Sequence, residues 1–264
     1  RFATLTNAGL MEEGEALKIQ VSLDKANKVI TIKDNGIGMT RDEVIENIGT
    51  IARSGTKQFL QSLSGDAKND ANLIGQFGVG FYSAFLVAHK VELKTRRAGE
   101  AESEGVHWVS EGEGEYTIDA IALPERGTTI TLHLRDEDKE FAEDYRLRGI
   151  ISRYSDHISL PIEMPSQDKD KKGEWESVNS GSALWSRAKG EITEDEYNRF
   201  YQSLTYDSDA PLATLHNRVE GTLEYTSLFF IPKKAPFDLW DREQRHGINL
   251  YVRRIFIMDD SKYL

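Results

Sequence analysis

The chain has 264 residues, enough for one large domain or two ordinary ones, and 39% of them are hydrophobic, which suffices for packed cores. Its formal charge of -11 argues against a general nucleic-acid-binding protein, and no apolar run reaches the ~18 residues that span a membrane. Without cysteine there is no disulfide framework or thiolate metal site, and without a signal-peptide pattern at the start we expect a cytoplasmic protein.

A β-hairpin and a short helix are predicted near the start of the chain. Residues 17–23 and 29–33 alternate apolar and polar side chains, which is the period of strands that have one buried face. Thr40 followed by Glu43 is a capping-box pattern, so we expect a helix to begin after Thr40 and to stop at Gly49.

Residues 49–75 differ from the segments on either side because they are rich in glycine, serine and asparagine. A long segment of this kind inside a compact domain is typical of a functional lid or of a loop. We expect a lid, and its glycine positions are Gly49, Gly55, Gly65 and Gly75.

More regular elements follow this segment. An apolar stretch at residues 79–87 predicts a buried helix. Four strand candidates come next, separated by acidic or glycine-rich turns, at residues 90–95, 105–110, 115–121 and 128–134. Residues 141–157 predict an amphipathic helix, whose apolar face would carry Tyr145, Ile150, Ile151 and Tyr154.

The composition changes again in the second half of the chain. Residues 166–173 are polar, charged and free of large apolar side chains, which suits a linker, and a second domain is expected to begin near Trp175. In that domain we expect a helix capped at Thr193 and strands at 221–231 and 248–257. Because the last strand would need partners, and because the chain starts without methionine, we expect a fragment of a longer protein.

The first of two glycine-marked turns runs from Asp34 to Met39 and offers a surface for a flat ring. Asp34 ends a predicted strand, and its carboxylate can accept hydrogen bonds from an exocyclic amine, such as that of adenine, and from a bound water. Gly36 and Gly38 let the backbone approach a ring closely, and Met39 supplies a polarisable surface. The alternative is an ordinary turn, because Asp-Asn-Gly is a common turn sequence.

The second glycine-marked turn covers residues 75–81. Gly78, Val79 and Gly80 lie where a helix is predicted to begin, so unpaired backbone N–H groups there would favour phosphate. Close helix packing through glycine is the alternative. The two turns in this order, with the lid between them, favour a nucleotide pocket.

Two common phosphate-binding motifs fail on spacing. A Walker A loop has four residues between its first glycine and its Gly-Lys pair, whereas residues 49–57 have five and insert a threonine before the lysine. The Rossmann fingerprint follows a strand and ends in glycine or alanine, whereas residues 78–83 follow a loop and end in serine.

Three blocks of sequence resemble the ninety-kilodalton heat-shock chaperone family, whose nucleotide fold is shared with gyrase B and sensor histidine kinases. The blocks are Asp34–Thr40, Asn47–Thr56 and Ile74–Ser83, and similar segments continue at residues 184–187, 216–221, 231–236 and 251–260. The resemblance covers essentially the whole chain, and the short linker is similar to that of bacterial members.

This resemblance implies an α+β fold in two domains. Residues 1–165 would form a GHKL-type ATP-binding domain without its first helix, built on an antiparallel-rich sheet of eight or fewer strands with helices on one face. Residues 166–174 would be the linker, and residues 175–264 would be the first part of an α/β middle domain.

The resemblance also implies site residues by position on the adenine side of the pocket. Asp34 would bind the adenine amine, with Thr128 supporting the same water network. Gly38 and Met39 would line the base, and Asn47 would contact the sugar side of the nucleotide.

On the phosphate side, Arg53 would lie near the phosphates and the lid at 49–75 would close over ATP. Backbone N–H groups would surround the phosphates at Gly78, Val79, Gly80 and Phe81. Trp185 falls where the family's middle domain handles client protein, although a buried core tryptophan is the alternative.

The implied function is that of an ATP-dependent chaperone. ATP or ADP would be the ligand and Mg²⁺ the cofactor of the parent protein. Unfolded or client proteins, co-chaperones and a second copy of the chain would be its partners, whereas no nucleic-acid or membrane partner is expected. A gyrase- or kinase-type relative is disfavoured because the acidic chain offers neither basic stretches nor a phospho-acceptor histidine motif.

Three functional groups of the family have no counterpart in this chain. They are the catalytic glutamate, the magnesium-binding asparagine and the middle-domain arginine that reaches the γ-phosphate. We therefore expect no catalytic residue and no metal ligand here, and little or no ATP hydrolysis. The second interpretation is a catalytically incomplete module that binds nucleotide or client protein without chemistry.

Overall fold

The computed structural model describes residues 15–50, 78–171, 173–205, 207–222, 224–235 and 248–261. The chain divides into two compact units, Arg1–Ser180 and Gly181–Leu264. Within the described ranges, none of the helices has the length and apolar character that crossing a bilayer requires.

The first unit is built on a mixed sheet that is almost entirely antiparallel. Its strands are β1 (Ile19–Asp24), β2 (Val29–Asp34), β3 (Ala88–Arg96), β4 (Gly105–Ser110), β5 (Tyr116–Ile121), β6 (Gly127–Leu134), β7 (Ile162–Pro165) and β8 (Trp175–Ser177). They lie in the order β5-β4-β3-β6-β2-β1-β7-β8, and only the pair β1–β7 is parallel. The predicted hairpin of β1 and β2 and the antiparallel-rich sheet are both confirmed.

Two α-helices of this unit follow from local sequence signals. Helix α1 (Arg41–Asn47) begins with the predicted capping box, since the Glu43 N–H donates to Thr40 Oγ1 at 3.2 Å and the Thr40 N–H donates to Glu43 Oε2 at 2.9 Å. Its C-cap is Ile48, one residue before the predicted stop at Gly49. Helix α2 (Asp144–Ser155) follows a short 3-10 helix at Lys139–Ala142.

Both helices pack on the same face of the sheet. Helix α2 contributes Leu147 and Ile151 to a cluster with Val21 and Ile30, while α1 contributes Val44 to a cluster around Trp108. The two clusters share a face because the register places Leu93 of β3 opposite Ile130 of β6, and Ile130 opposite Ile32 of β2. This arrangement confirms the expected fold class, a sheet with helices on one face.

The opposite face of the sheet is polar. Glu92 of β3 accepts hydrogen bonds from His107 Nε2 at 2.9 Å and from His133 Nε2 at 2.8 Å, and it also pairs with Lys90 at 2.8 Å. The hydrogen bond from Lys90, together with those from the two imidazoles, lowers the pKa of Glu92 to about 2. One carboxylate therefore ties three neighbouring strands together on the polar face.

Two helix predictions in this unit are wrong in detail. Residues 79–87 do not form a buried α-helix but a 3-10 helix at Gly80–Leu86 without a buried residue, in which Leu86 is 75% exposed. On α2 the buried side chains are Leu147 and Ile151, whereas Tyr145 is 73% exposed. Tyr145 lies two residues before Leu147, which at 3.6 residues per turn places it on the far side of the helix.

The segment expected to be a linker lies inside the first unit. Strand β8 pairs with β7, with Trp175 opposite Pro165 and Ser177 opposite Glu163. Residues 166–174 therefore connect two antiparallel strands of one sheet, and the compact unit extends to Ser180. Polar composition is common to linkers and to exposed strand connections, so it did not distinguish the two.

In its described part, the second unit has one α-helix and two hairpins. Helix α3 (Glu194–Thr205) packs on the antiparallel pair β9 (Ala213–Val219) and β10 (Tyr225–Ile231), with Leu184, Ile192 and Tyr197 buried between them. The capping box predicted at its start is confirmed, because the Glu196 N–H donates to Thr193 Oγ1 at 3.3 Å and the Thr193 N–H donates to Glu196 Oε2 at 2.9 Å.

The last apolar run forms a hairpin and not a single strand. It consists of β11 (Ile248–Val252) and β12 (Ile255–Ser261), which pair with each other. Arg253 and Arg254 between them have φ of 51° and 72°. Two successive positive φ angles make the tight turn whose twist matches antiparallel strands, so this run supplies two strands that pair with each other and not the single strand that was expected.

Candidate functional site

A row of three polar side chains crosses adjacent strands at one end of the apolar face. Asp34 of β2 lies opposite Thr128 of β6, and Thr128 lies opposite Thr95 of β3. Side chains two residues apart in a strand share a face, so this polar row directly continues the apolar row of Ile32, Ile130 and Leu93. Polar groups at the end of an otherwise apolar face are the candidate site.

The carboxylate of Asp34 is held by a backbone donor. The Gly36 N–H donates to Asp34 Oδ1 at 2.8 Å. Burial raises the pKa of Asp34, while the neighbouring backbone N–H groups of Gly36 and Thr128 oppose that shift. A Cβ added at Gly36 would lie 2.7 Å from Asp34 Oδ1, so a side chain there would displace the carboxylate from this position.

Two further glycines let three backbone segments meet beside Asp34. Gly38 has φ of 63°, and a Cβ there would lie 1.9 Å from the Arg96 carbonyl oxygen at the end of β3. Gly127 has φ of 108°, and a Cβ there would lie 2.2 Å from the Asp34 carbonyl oxygen. Gly38 is therefore glycine because β3 lies against it, an explanation that holds with or without a ligand ring.

Thr95 joins the same three segments through its side chain and was missed by the sequence analysis. It is fully buried, and its Oγ1 accepts the Met39 N–H at 3.0 Å and donates to the Gly127 carbonyl at 2.8 Å. Its Oγ1 also lies 3.1 Å from Thr128 Oγ1. The signal that could have revealed it is the alternation in β3, in which Thr95 follows Val91 and Leu93 as the next side chain on the buried face.

A cavity open to solvent lies on the polar face of the sheet, at the same end as the polar row. Asp34, Gly127 and Thr128 border it, together with the loop at residues 123–126. Lys33 and Lys94 line it from the polar face of the sheet, because each is one residue away from a member of the polar row and therefore points the other way. Thr129, which lies opposite both lysines in the sheet, lines the cavity from the same face, so the cavity lies behind the side chains of the polar row.

Asn47 lies at the end of α1 with half of its amide unsatisfied. Its Nδ2 donates to the Glu43 carbonyl at 3.0 Å, whereas its buried Oδ1 finds no hydrogen-bond partner among the described residues. A buried acceptor without a partner costs free energy, so this atom is a candidate acceptor for a ligand hydroxyl.

The turn at residues 78–81 reaches the same region through aromatic contacts. Phe81 packs edge-to-face on Trp108 at 5.6 Å, and Met39 belongs to the same cluster. Gly78 has φ of 66°, Val79 is 52% exposed, and a Cβ added at Gly80 would meet no described atom within 4 Å. Packing against the described residues therefore does not explain Gly80.

Several predicted positions lie outside the described residues. They are Arg53 and the lid glycines Gly55, Gly65 and Gly75. Gly49 is described, and a Cβ there would lie 2.7 Å from Tyr116 Oη. The Tyr82 hydroxyl donates to the Ile48 carbonyl at 2.6 Å, so the chain just before the expected lid is tied to the 3-10 helix at Gly80–Leu86.

Trp185 in the second unit is partly buried. Its ring centroid lies 4.6 Å from that of Tyr251 and 5.9 Å from that of Phe200. Across the described ranges, no group of three or more His, Asp or Glu side chains is arranged to hold a metal ion.

The chain matches two family models. Residues 12–137 match the family described as Histidine kinase-, DNA gyrase B-, and HSP90-like ATPase, and residues 165–264 match the family described as Hsp90 protein. The polar row and both glycine-marked turns fall in the first of these ranges, which includes no residue of the second unit.

Curated relatives agree with these matches. The chain is 58% identical to Chaperone protein HtpG of Cupriavidus necator, over 100% of this chain and 43% of that protein. It is 55% identical to Chaperone protein HtpG of Escherichia coli, over 99% of this chain and 42% of that protein. For Chaperone protein HtpG of Hydrogenovibrio crunogenus the identity is 53%, over 100% of this chain and 43% of that protein. The chain thus spans less than half the length of these relatives.

Proposed function

The chain belongs to the Hsp90 family, and from this premise we propose that it forms the nucleotide-binding unit, and part of the unit that follows, of an ATP-dependent chaperone. Its first unit would bind ATP or ADP, and the longer protein would couple binding and hydrolysis to the handling of unfolded or client proteins. The proposal is supported by the names of the relatives and by the match to the ATPase family.

The observation that carries the proposal is the Asp34 carboxylate, which ends the polar row and is held by the Gly36 N–H. An ionised carboxylate only accepts hydrogen bonds, and the Gly36 N–H holds this one beside its own turn. The adenine ring presents an amine that donates. Thr128 lies next to Asp34 and would support the same contact, while Gly38 and Met39 would line the ring and Asn47 Oδ1 would accept from the sugar.

The phosphate side of the proposed pocket rests on the second turn. Backbone N–H groups at residues 78–81 would contact the phosphates, with Arg53 nearby and the segment 49–75 closing as a lid. Mg²⁺ prefers a set of oxygen ligands, and the described residues present no cluster of that kind. No magnesium-dependent step is therefore assigned to them.

We expect little or no ATP hydrolysis by the 264-residue chain itself. The Asp34 carboxylate accepts the Gly36 N–H, an environment that suits base recognition better than activation of water. A module that binds nucleotide or client without chemistry is the second candidate function. Client contact near Trp185, co-chaperones, a homodimer and a cytoplasmic location belong to the proposal for the longer protein.

Calorimetric titration of the chain with ADP tests the proposal. Asp34→Asn replaces the charged acceptor, and loss of a hydrogen bond to a charged group costs about 1.5–3 kcal/mol, or roughly 10- to 150-fold in affinity. Asp119→Asn makes the same change on an exposed position of β5 and should leave the affinity unchanged. Equal affinities in the wild type and in Asp34→Asn would remove Asp34 from the pocket.

A further inference from the structure

We infer that Thr95 is a positioning residue that orients the Thr128 hydroxyl, so that the pocket selects a ring bearing an amino group over one bearing an oxo group at the same place. This inference rests on the proposed function, because it assigns the specificity of the adenine pocket. It concerns purine nucleotides as the ligand class, with 6-aminopurines favoured over 6-oxopurines.

The hydrogen bonds of Thr95 leave one arrangement of protons. A hydroxyl has one hydrogen to donate and two lone pairs that accept. The Thr95 hydroxyl uses its hydrogen on the Gly127 carbonyl at 2.8 Å, and one lone pair accepts the Met39 N–H at 3.0 Å. The contact of 3.1 Å with Thr128 must then be a donation from Thr128 to the remaining lone pair of Thr95.

Thr128 consequently presents only acceptors to its surroundings. Its single hydrogen points to Thr95, so both of its lone pairs remain for a ligand or a water. Asp34, directly opposite Thr128 in the sheet, also presents acceptors. Two neighbouring acceptors favour a ligand atom that donates, which an amine does and a carbonyl oxygen does not.

A water molecule that bridges the ligand and the protein would also favour an amine over an oxo group. Such a water would donate one hydrogen to Asp34 and the other to Thr128, so its lone pairs alone would face the ligand. An amine can donate to that water, whereas an oxo group would meet lone pairs. The selection therefore does not depend on whether the contact is direct.

The burial of Thr95 makes the arrangement rigid. Its side chain is fully buried, so water cannot compete for the Met39 N–H or the Gly127 carbonyl. Thr95→Val keeps the shape of the side chain but removes the acceptor for Thr128, whose hydroxyl then becomes free to rotate and to donate to an oxo group. Thr95→Ser keeps the hydroxyl and should keep the selection.

The experiment compares ADP with inosine diphosphate, which carries an oxo group in place of the adenine amine. Calorimetry on the full 264-residue chain gives the ratio of the two affinities for the wild type, Thr95→Val and Thr95→Ser. We expect the wild type and Thr95→Ser to favour ADP by similar factors. In Thr95→Val the ratio should fall by about fivefold to tenfold, the effect of one hydrogen bond.

The ratio separates a positioning role from a merely structural one. A general loss of packing would weaken both ligands equally and leave the ratio unchanged in Thr95→Val, which would overturn the inference. If Thr95→Val does not fold, Thr128→Val removes the oriented hydroxyl itself, and an unchanged ratio in that variant would overturn the inference equally. A wild-type chain that binds neither ligand would overturn the proposed function and the inference with it. ADP binding that depends on Asp34 while the ratio stays constant would overturn the inference alone.

Discussion

Replacing Gly38 by alanine should destabilise the first unit strongly, because the backbone there leaves no room for a side chain. The Cβ would lie 1.9 Å from the Arg96 carbonyl oxygen and 3.0 Å from the Gly127 carbonyl oxygen. Arg96 cannot easily retreat, since its guanidinium donates to the Glu100 carbonyl at 2.7 Å and to the Pro124 carbonyl at 2.8 Å. Relief of the overlap would therefore require separating β3 from the turn that carries Asp34.

The magnitude follows from two costs. Alanine in a left-handed conformation costs about 1–2 kcal/mol, and overpacking against a fixed neighbour adds about 1–3 kcal/mol, so Gly38→Ala should lose about 2–5 kcal/mol. Urea unfolding followed by circular dichroism measures this loss, and with a slope of about 1–3 kcal/mol per molar the midpoint should fall by about 1 M or more.

Gly149→Ala is the matched control for this experiment. Gly149 lies in α2, and a Cβ there meets no described atom within 4 Å. Alanine should raise stability there by up to about 1 kcal/mol through helix propensity. A midpoint for Gly38→Ala that equals the wild type, or that rises as in Gly149→Ala, would refute the explanation of the glycine turn.

Two further substitutions test the polar face and the last hairpin. Since the pKa of Glu92 is lowered from its ordinary value to about 2, its stabilisation is present above pH ~4.5 and is lost as the pH falls towards 2. Glu92→Gln should therefore lower the free energy of unfolding by about 1 kcal/mol at pH 7, after allowance for solvent screening, and by less at pH 3. Glu111 is exposed, so Glu111→Gln should change the free energy of unfolding little at either pH. Arg253→Asn with Arg254→Gly should stabilise the hairpin by about 1 kcal/mol, because asparagine and glycine adopt positive φ more readily than arginine. Slower amide hydrogen exchange in β12 would support this explanation, and faster exchange would contradict it.

Local signals in the sequence predicted much of the first unit correctly. The alternation in residues 17–23 and 29–33 predicted the hairpin, and Thr40 with Glu43 predicted the start of α1, because strand period and helix capping depend on neighbours in sequence. The same reasoning located the Asp34 turn, since a carboxylate before glycines is visible without any knowledge of the fold.

What depends on contacts between distant residues was not predictable in the same way. The importance of Thr95 arises from its register opposite Thr128, and a single threonine in a strand carries no sign of that pairing. Trp175 was assigned to the next domain because nothing local shows that β8 returns to β7. Arg253 and Arg254 form a tight turn although neither residue favours positive φ, so the single apolar run concealed two strands.

Binding of an adenine nucleotide beside Asp34 can be observed by methyl NMR of the methionines during titration with ADP. Met39 follows the Asp34 turn, and its N–H is held by Thr95. Met164 is fully buried in the cluster under α2, and Met258 lies in the second unit. We expect a saturable shift of the Met39 methyl signal in the wild type that is much weaker in Asp34→Asn. A Met39 signal that does not move at saturating ADP, or that moves equally in Asp34→Asn, would contradict it.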